Sequence, residues 1–273
     1  MRRDVAFGQY YPTRSFVHKM DPRAKIVLLI AYIVLIFIVR NFFGFAVCAG
    51  LLVLAVLFAR VPIFKVLRSI RAILFIIILT VLINLFLHRE DGDTVLFSWW
   101  VFTITDSSIR FAGFMALRLV LLILVSSLLT LTTTPVSLTD GLESLMSPLK
   151  FIRFPVHELA LVMSIALRFI PTLMEETERI ICAQKARGAD FDSGNVFLRI
   201  KALIPILIPL IISAFRRADE LGDAMEARCY TGSKIRTKYK KLKFGVNDLI
   251  ALLFVGAAYA GVILLNIYTV ALI

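Results

Sequence analysis

Apolar positions in this chain fall in long unbroken runs, separated by short charged or turn-forming segments. A helix needs roughly 20 mostly apolar residues to cross a bilayer. Five runs approach that length: 26–39, extended backwards by Ala24; 42–59; 73–87, lengthened by Ile70; 111–131; and 244–273. Two further apolar stretches, 156–170 and 200–215, are shorter or carry charges, and whether they cross stays open. The pattern then changes to the i, i+3, i+4, i+7 stripe of amphipathic helices. One stripe is Leu138, Leu142, Leu145, Met146 and Leu149. Its expected start is Thr139 or Asp140, with Glu143 three or four residues on, and Pro148 and Pro155 limit it to about three turns. A second runs through Ile170, Leu173, Met174, Thr177, Ile180, Ile181 and Gln184. Glu175, Glu176, Glu178, Arg179 and Lys185 lie off that stripe, and Gly188 follows as a C-cap. A third runs through Ile211, Ala214, Phe215, Ala218, Leu221, Gly222 and Met225. Prolines mark the apolar stretch before each of the last two: Pro171, then Pro205 and Pro209.

Charge orients the runs. Residues 1–25 hold six Lys/Arg, and 60–71 hold four with no acid. Both are expected in the cytoplasm. Residues 88–110 carry two Arg against four acids and are expected outside. Trp99 and Trp100 suit an interfacial anchor there, and VLFSWWVFTIT reads either as a short hairpin or as a surface helix. Residues 132–243, with 17 Lys/Arg and 12 acids, are expected in the cytoplasm, and the last run then leaves the C-terminus outside. The expected class is all-α: a polytopic membrane protein with about five transmembrane helices. Its parts are 1–131 (about four spans), 132–243 (a cytoplasmic region of amphipathic helices) and 244–273 (a last span). At the head of the first run, Asp21 can cap a helix that begins at Pro22.

Composition agrees. The 273 residues are 59% hydrophobic and 18% charged, with mean hydropathy +0.87. Soluble domains are about 45–50% apolar and about 25% charged. The formal charge of +12 does not point to nucleic acid, because Lys and Arg gather where membrane proteins keep them. The first 25 residues have no apolar run before Ile26 and no small-residue cleavage site, so a secretory signal is not expected. Cys48, Cys182 and Cys229 form no C-x-x-C, so neither a disulfide framework nor a zinc site is expected. Cys48 is expected in the core. His18, His88 and His157 are scattered, and no metal site is expected.

One phrase occurs twice. Ala183–Gly188 reads AQKARG and 224–229 reads AMEARC, which places Arg187 and Arg228 41 positions apart. Singly, each is ordinary helix-ending chemistry. Repeated, two arginine-tipped helices suit a partner with two equivalent grooves, as a dimeric or pseudo-dimeric cytoplasmic protein presents. Arginine's planar fork suits carboxylates in partly buried pockets, and the small flanking residues allow close approach. No glycine is followed by lysine, so G-x-x-x-x-G-K-[ST] is absent and the chain lacks that cradle for ATP phosphates.

With HKMDPRAK near the start, Ala186-Arg187-Gly188, and Ala227-Arg228-Cys229, the chain resembles the transmembrane T component of energy-coupling factor (ECF) vitamin transporters, the EcfT type. The resemblance covers essentially the whole chain. It implies a non-catalytic subunit of an ATP-driven importer for vitamins or other micronutrients, in a bacterial or archaeal cell membrane. It implies that 132–243 is a coupling domain, linking two cytoplasmic ATPases (A and A′) to an interchangeable substrate-binding S component in the membrane. ATP and its Mg2+ would be bound by the ATPases, with no cofactor in this chain. Ala186, Arg187, Gly188, Ala227, Arg228 and Cys229 would dock into grooves on the ATPases. Leu173, Met174, Leu221 and Met225 would meet the S component or the membrane surface. Cys229 stands where the family pattern has glycine; cysteine disfavours a positive φ, so a differently shaped helix end is expected there. The alternative is a secondary carrier or membrane-embedded enzyme acting alone. Such proteins set ionisable residues deep in their spans, and Arg118 and Asn84 are the candidates.

Overall fold

The structure is a computed structural model; it describes residues 10–13, 15–39, 41–87, 95–99, 102–152, 154–189, 191, 196–230, 232 and 244–270. The arginines at 2 and 3, His88, Trp100 and the basic run 234–243 lie outside the described residues. The elements are α1 (Pro22–Ile38), α2 (Phe42–Ala59), α3 (Ile63–Leu87), β1 (Val95–Trp99), β2 (Phe102–Thr105), α4 (Asp106–Thr132), α5 (Pro135–Leu145), α6 (Val156–Ala186), α7 (Val196–Ala227) and α8 (Val246–Val270). The protein is an all-α polytopic membrane protein. Among the described residues the one sheet is the small antiparallel pair β1–β2, in whose register Trp99 pairs with Phe102. Of the two readings of that segment, the hairpin is the one formed.

Among the described residues, α2, α4, α6 and the 246–267 part of α8 are long and apolar enough to cross a membrane. A fifth is α3, if its two parts, bent by 58° near 72, count as one span. The set differs from the expected five at two places. Helix α1 has only 17 residues and rises about 25 Å at 1.5 Å per residue, short of a ~30 Å hydrocarbon core. Helix α6 joins the set because it does not stop at Pro171. The apolar stretch and the amphipathic stretch form one helix of 31 residues with Pro171 inside, and α7 likewise runs 32 residues through Pro205 and Pro209. An internal proline removes one hydrogen bond, and strong helix-forming sequence on both sides carries the helix across the gap.

The chain divides into two compact units, 1–154 with 242–273, and 155–241. Residues 132–154, grouped by composition with the hydrophilic region, pack in the first unit. There α5 lies against α1, and a Cβ at Gly141 would come within 3.0 Å of Pro22 Cβ. Helix α5 begins earlier than its apolar stripe suggests. Thr134 is its N-cap, taking the Ser137 N–H, and Pro135 is its first residue. Proline fixes the first helical φ, so the helix starts there and not at Thr139 or Asp140.

The core of the first unit joins α1, α2, α4 and α8 through Leu35, Ile36, Phe45, Cys48, Leu128 and Val262. Cys48 is fully buried, as expected, and its carbonyl accepts the Tyr32 hydroxyl at 2.8 Å. Asp21 caps α1, accepting the Arg23 N–H at 2.9 Å with Pro22 following. Just beyond the cap, the Lys25 ammonium is buried and donates to the Thr132 carbonyl at 2.9 Å and Thr133 Oγ1 at 3.2 Å. Asp248, also buried, accepts the Asp21 N–H on one oxygen at 2.9 Å and the Gly245 N–H on the other at 2.7 Å. Two charges thereby tie together the start of α1, the end of α4 and the start of α8.

Before α1, the turn Val17–Lys19 places His18 against the Tyr11 carbonyl (3.0 Å) and Ser15 Oγ (2.6 Å). Burial, the largest cause, holds its imidazole below the ordinary 6.5. The folded chain therefore takes up this proton less readily than the unfolded chain. Stability is full above about pH 6.5 and declines as the pH falls below it. The melting temperature in detergent should be lower at pH 5 than at pH 7, and His18→Gln should shrink that difference.

Candidate functional site

Both copies of the Ala-Arg-small phrase sit where a long helix stops. Ala186 is the last residue of α6 and Arg187 its C-cap; Ala227 ends α7 and Arg228 follows. At the first tip the Gly188 N–H donates to the Lys185 carbonyl and the Ala189 N–H to the Gln184 carbonyl, each at 3.0 Å. At the second, the Cys229 N–H donates to the Glu226 carbonyl at 2.8 Å and the Tyr230 N–H to the Met225 carbonyl at 3.0 Å. These are two complete Schellman ends, which need a left-handed residue after the C-cap. Gly188 supplies it at φ +87° and Cys229 at φ +58°. The expectation of a differently shaped second end is thus overturned. Paired hydrogen bonds over six residues hold Cys229 in the conformation its side chain disfavours.

Left-handed backbone costs a non-glycine residue roughly 1–2 kcal/mol. Cys229→Gly should therefore firm the second tip by about 1 kcal/mol, partly offset by glycine's freedom in the unfolded chain. Native-state hydrogen exchange at Cys229 and Tyr230 should slow by up to about fivefold, and Gly188→Cys should do the reverse at Ala189.

All six motif residues are exposed: Ala186, Arg187, Gly188, Ala227, Arg228 and Cys229. Leu173, Leu221 and Met225 are half-buried, and Met174 is exposed. Apolar surface is far broader than those four residues. On α7, Leu203, Ile204, Leu207, Ile208, Ile211, Ile212 and Phe215 are all exposed. A patch of that kind marks contact with a partner or with lipid.

The two tips are not brought together. Helices α6 and α7 touch through an ion pair, Arg217 Nη2 to Glu176 Oε2 at 3.4 Å. They touch again through Gln184, whose Nε2 donates to the Pro205 carbonyl at 3.3 Å. Going forward along α6 from 176 to 184 goes backward along α7 from 217 to 205, so the helices cross in opposite senses and the tips diverge. The second contact follows from the prolines. Pro209 has no N–H to give the carbonyl four residues earlier, which leaves the Pro205 oxygen for Gln184. Run length and periodicity placed Glu176 off the apolar stripe and Gln184 on it, and marked neither as a clasp. One signal was available: Glu176 and Arg217 are separated by the same 41 positions as the two tips.

The two residues that would serve a lone carrier are occupied otherwise. Arg118 donates to the Val39 carbonyl at the end of α1 (3.4 Å) and lies over the Phe37 and Phe45 rings. Asn84 donates to the Thr80 carbonyl of its own helix at 2.8 Å. Neither lines the apolar cavity of about 300 Å3 between α1, α2, α4 and α8.

The family model described as cobalt transport protein, CbiQ, matches residues 13–239. The energy-coupling factor transporter transmembrane protein EcfT of Ruminiclostridium cellulolyticum is 50% identical over 250 residues, 92% of each chain. The protein of the same name from Brevibacillus brevis is 50% identical over 248 residues, 91% of this chain and 93% of the relative. That from Thermosediminibacter oceani is 45% identical over 262 residues, 96% and 98% of the two chains. Matches of this extent mean that the chain belongs to the CbiQ and EcfT family, the transmembrane T components of energy-coupling factor transporters.

Proposed function

We propose that this chain is the lever of an ECF-type importer for vitamins or other micronutrients, carrying ATP-driven motion from two cytoplasmic ATPases to a substrate-binding S component. One observation carries the reading. Two exposed arginines cap helices with the same Schellman end, 41 positions apart, and the helices diverge from a common contact. Divergent, equivalent tips suit two equivalent sockets. Ala186, Arg187 and Gly188 would enter one, and Ala227, Arg228 and Cys229 the other. The exposed apolar face of α7, with Leu173, Met174, Leu221 and Met225, would meet the S component or the membrane surface.

In this reading the N-terminus and the two arginine tips lie in the cytoplasm. The ATPases bind ATP and Mg2+, and closure of the pair on nucleotide drives the tips. The chain itself moves no bond. The bonding of Arg118 and Asn84 to backbone carbonyls gives no support to a carrier acting alone. Affinity purification of the tagged chain from native membranes tests the proposal. Two ATP-binding subunits and one small membrane protein should come with it in fixed ratio. A chain that purifies alone from gentle detergent and binds or turns over a small solute would overturn it.

A further inference from the structure

We infer that Glu176 and Arg217 form the pivot of the lever, an ion pair on which α6 and α7 turn while the tips travel; this rests on the coupling function proposed above. Three observations meet at this pair. First, it is the point where a position of one helix touches its own counterpart in the other. The tips are 41 positions apart, and so are Glu176 and Arg217. Contact between counterparts on two helices crossing in opposite senses lies at their local two-fold axis. Each tip lies 11 residues beyond the contact, an arm of about 16 Å at 1.5 Å per residue. Equal arms turn one rotation at the centre into equal and opposite travel at the ends.

Second, the pair is sheltered. The side chains of Arg217 and Glu176 are 30% and 25% exposed, against 69% for Arg179 and 72% for Glu175 nearby. Less solvent means less screening, so the contact is stronger than an ordinary surface pair. Third, the guanidinium is not fully used. Only Nη2 reaches Glu176, and Nε is buried without a partner. Arginine presents five donors in a planar fork. As the helices rotate, one donor can replace another on the same carboxylate, and the charge contact survives the motion. Arg179, one turn along α6, lies 3.9 Å from the same carboxylate. Gln184 makes a second, separate contact, to the Pro205 carbonyl of α7. Glu176 and Arg217 are positioning residues: they act on the partner ATPases only through the tips.

The test uses the whole complex with spin labels at Lys185→Cys and Glu226→Cys, in a background of Cys182→Ser and Cys229→Gly. The distance between labels is measured without nucleotide and with a non-hydrolysable ATP analogue. The pair Glu176/Arg217 should give two narrow, distinct distances. Glu176→Gln and Arg217→Gln should keep the ATPases bound yet broaden both distributions by about twofold or more, with most of the nucleotide-driven shift lost. Exchanging the charges, Glu176→Arg with Arg217→Glu, should restore the shift. An unaltered shift in both single variants overturns the pivot, and so does an exchange variant as defective as the singles. If Arg187→Glu and Arg228→Glu leave the ATPases bound, the coupling function itself fails. If those release the ATPases while Glu176→Gln behaves as wild type, the pivot alone fails.

Discussion

Reversing the charge at either tip, Arg187→Glu or Arg228→Glu, should strip ATPase from the purified complex, and the double reversal should leave none. Both arginines are exposed in the chain by itself, so neither is needed for folding. Docked in a groove they would be desolvated against acceptors. Removing one partner of such a charge pair costs about 2–5 kcal/mol, which weakens a single tip by about 30-fold to more than 1,000-fold at 1.4 kcal/mol per tenfold. One intact tip keeps its ATPase, and the linked pair loses the gain from binding at two places. The substitution should not disturb the helix end. Arg187 sits at φ −86° and ψ 6°, where glutamate fits, and an acid at a helix C-terminus costs only about 0.3–1 kcal/mol. Arg→Lys should fall between, since it keeps the charge and loses the fork. Co-purified ATPase, quantified against the chain, reads the result. A double reversal that retains both ATPases and supports uptake would falsify the docking role.

Asp248→Ala should lower the melting temperature of the chain in detergent by about 6–12 °C. The carboxylate is 4% exposed, accepts the Asp21 and Gly245 amides, and favours the charged Lys25 ammonium through space. Its loss orphans two donors and removes a negative charge that favours the buried Lys25 ammonium. Each buried donor left unsatisfied costs about 1–3 kcal/mol, and a total of about 3 kcal/mol corresponds to that range at about 2–4 °C per kcal/mol for a chain of this size. Asp248→Asn should lose about half as much, because one acceptor oxygen remains. Adding Lys25→Met to Asp248→Asn should recover part of the loss, since it removes a buried cation that has lost a nearby negative charge. A melting temperature within about 2 °C of wild type for Asp248→Ala would mean that the charges do not hold these helix ends together.

The candidate site was legible in part. The arginine tips, the cap at Asp21-Pro22 and the buried Cys48 follow from residues within a few positions of one another, and the structure has each of them. The start of α5 was missed by five or six residues. An apolar stripe marks a helix's buried face, whereas Thr134-Pro135 marks its beginning. The second tip was local too, yet cysteine alone pointed the wrong way, because the six-residue hydrogen-bond pattern outweighs one residue's φ preference.

By itself, the sequence determined what depends on short range: which runs are apolar, where α1 is capped, and that two basic ends repeat. Tertiary structure alone decided which distant groups meet. Lys25 finds its acceptors 107 and 108 positions away, Asp21 meets Asp248 across 227, Gln184 reaches Pro205 across 21 and Glu176 reaches Arg217 across 41. Propensity and capping act over a turn or two of one helix. Pairing of buried charges and orphaned carbonyls is set by which helices lie side by side, and that is a property of the packed whole.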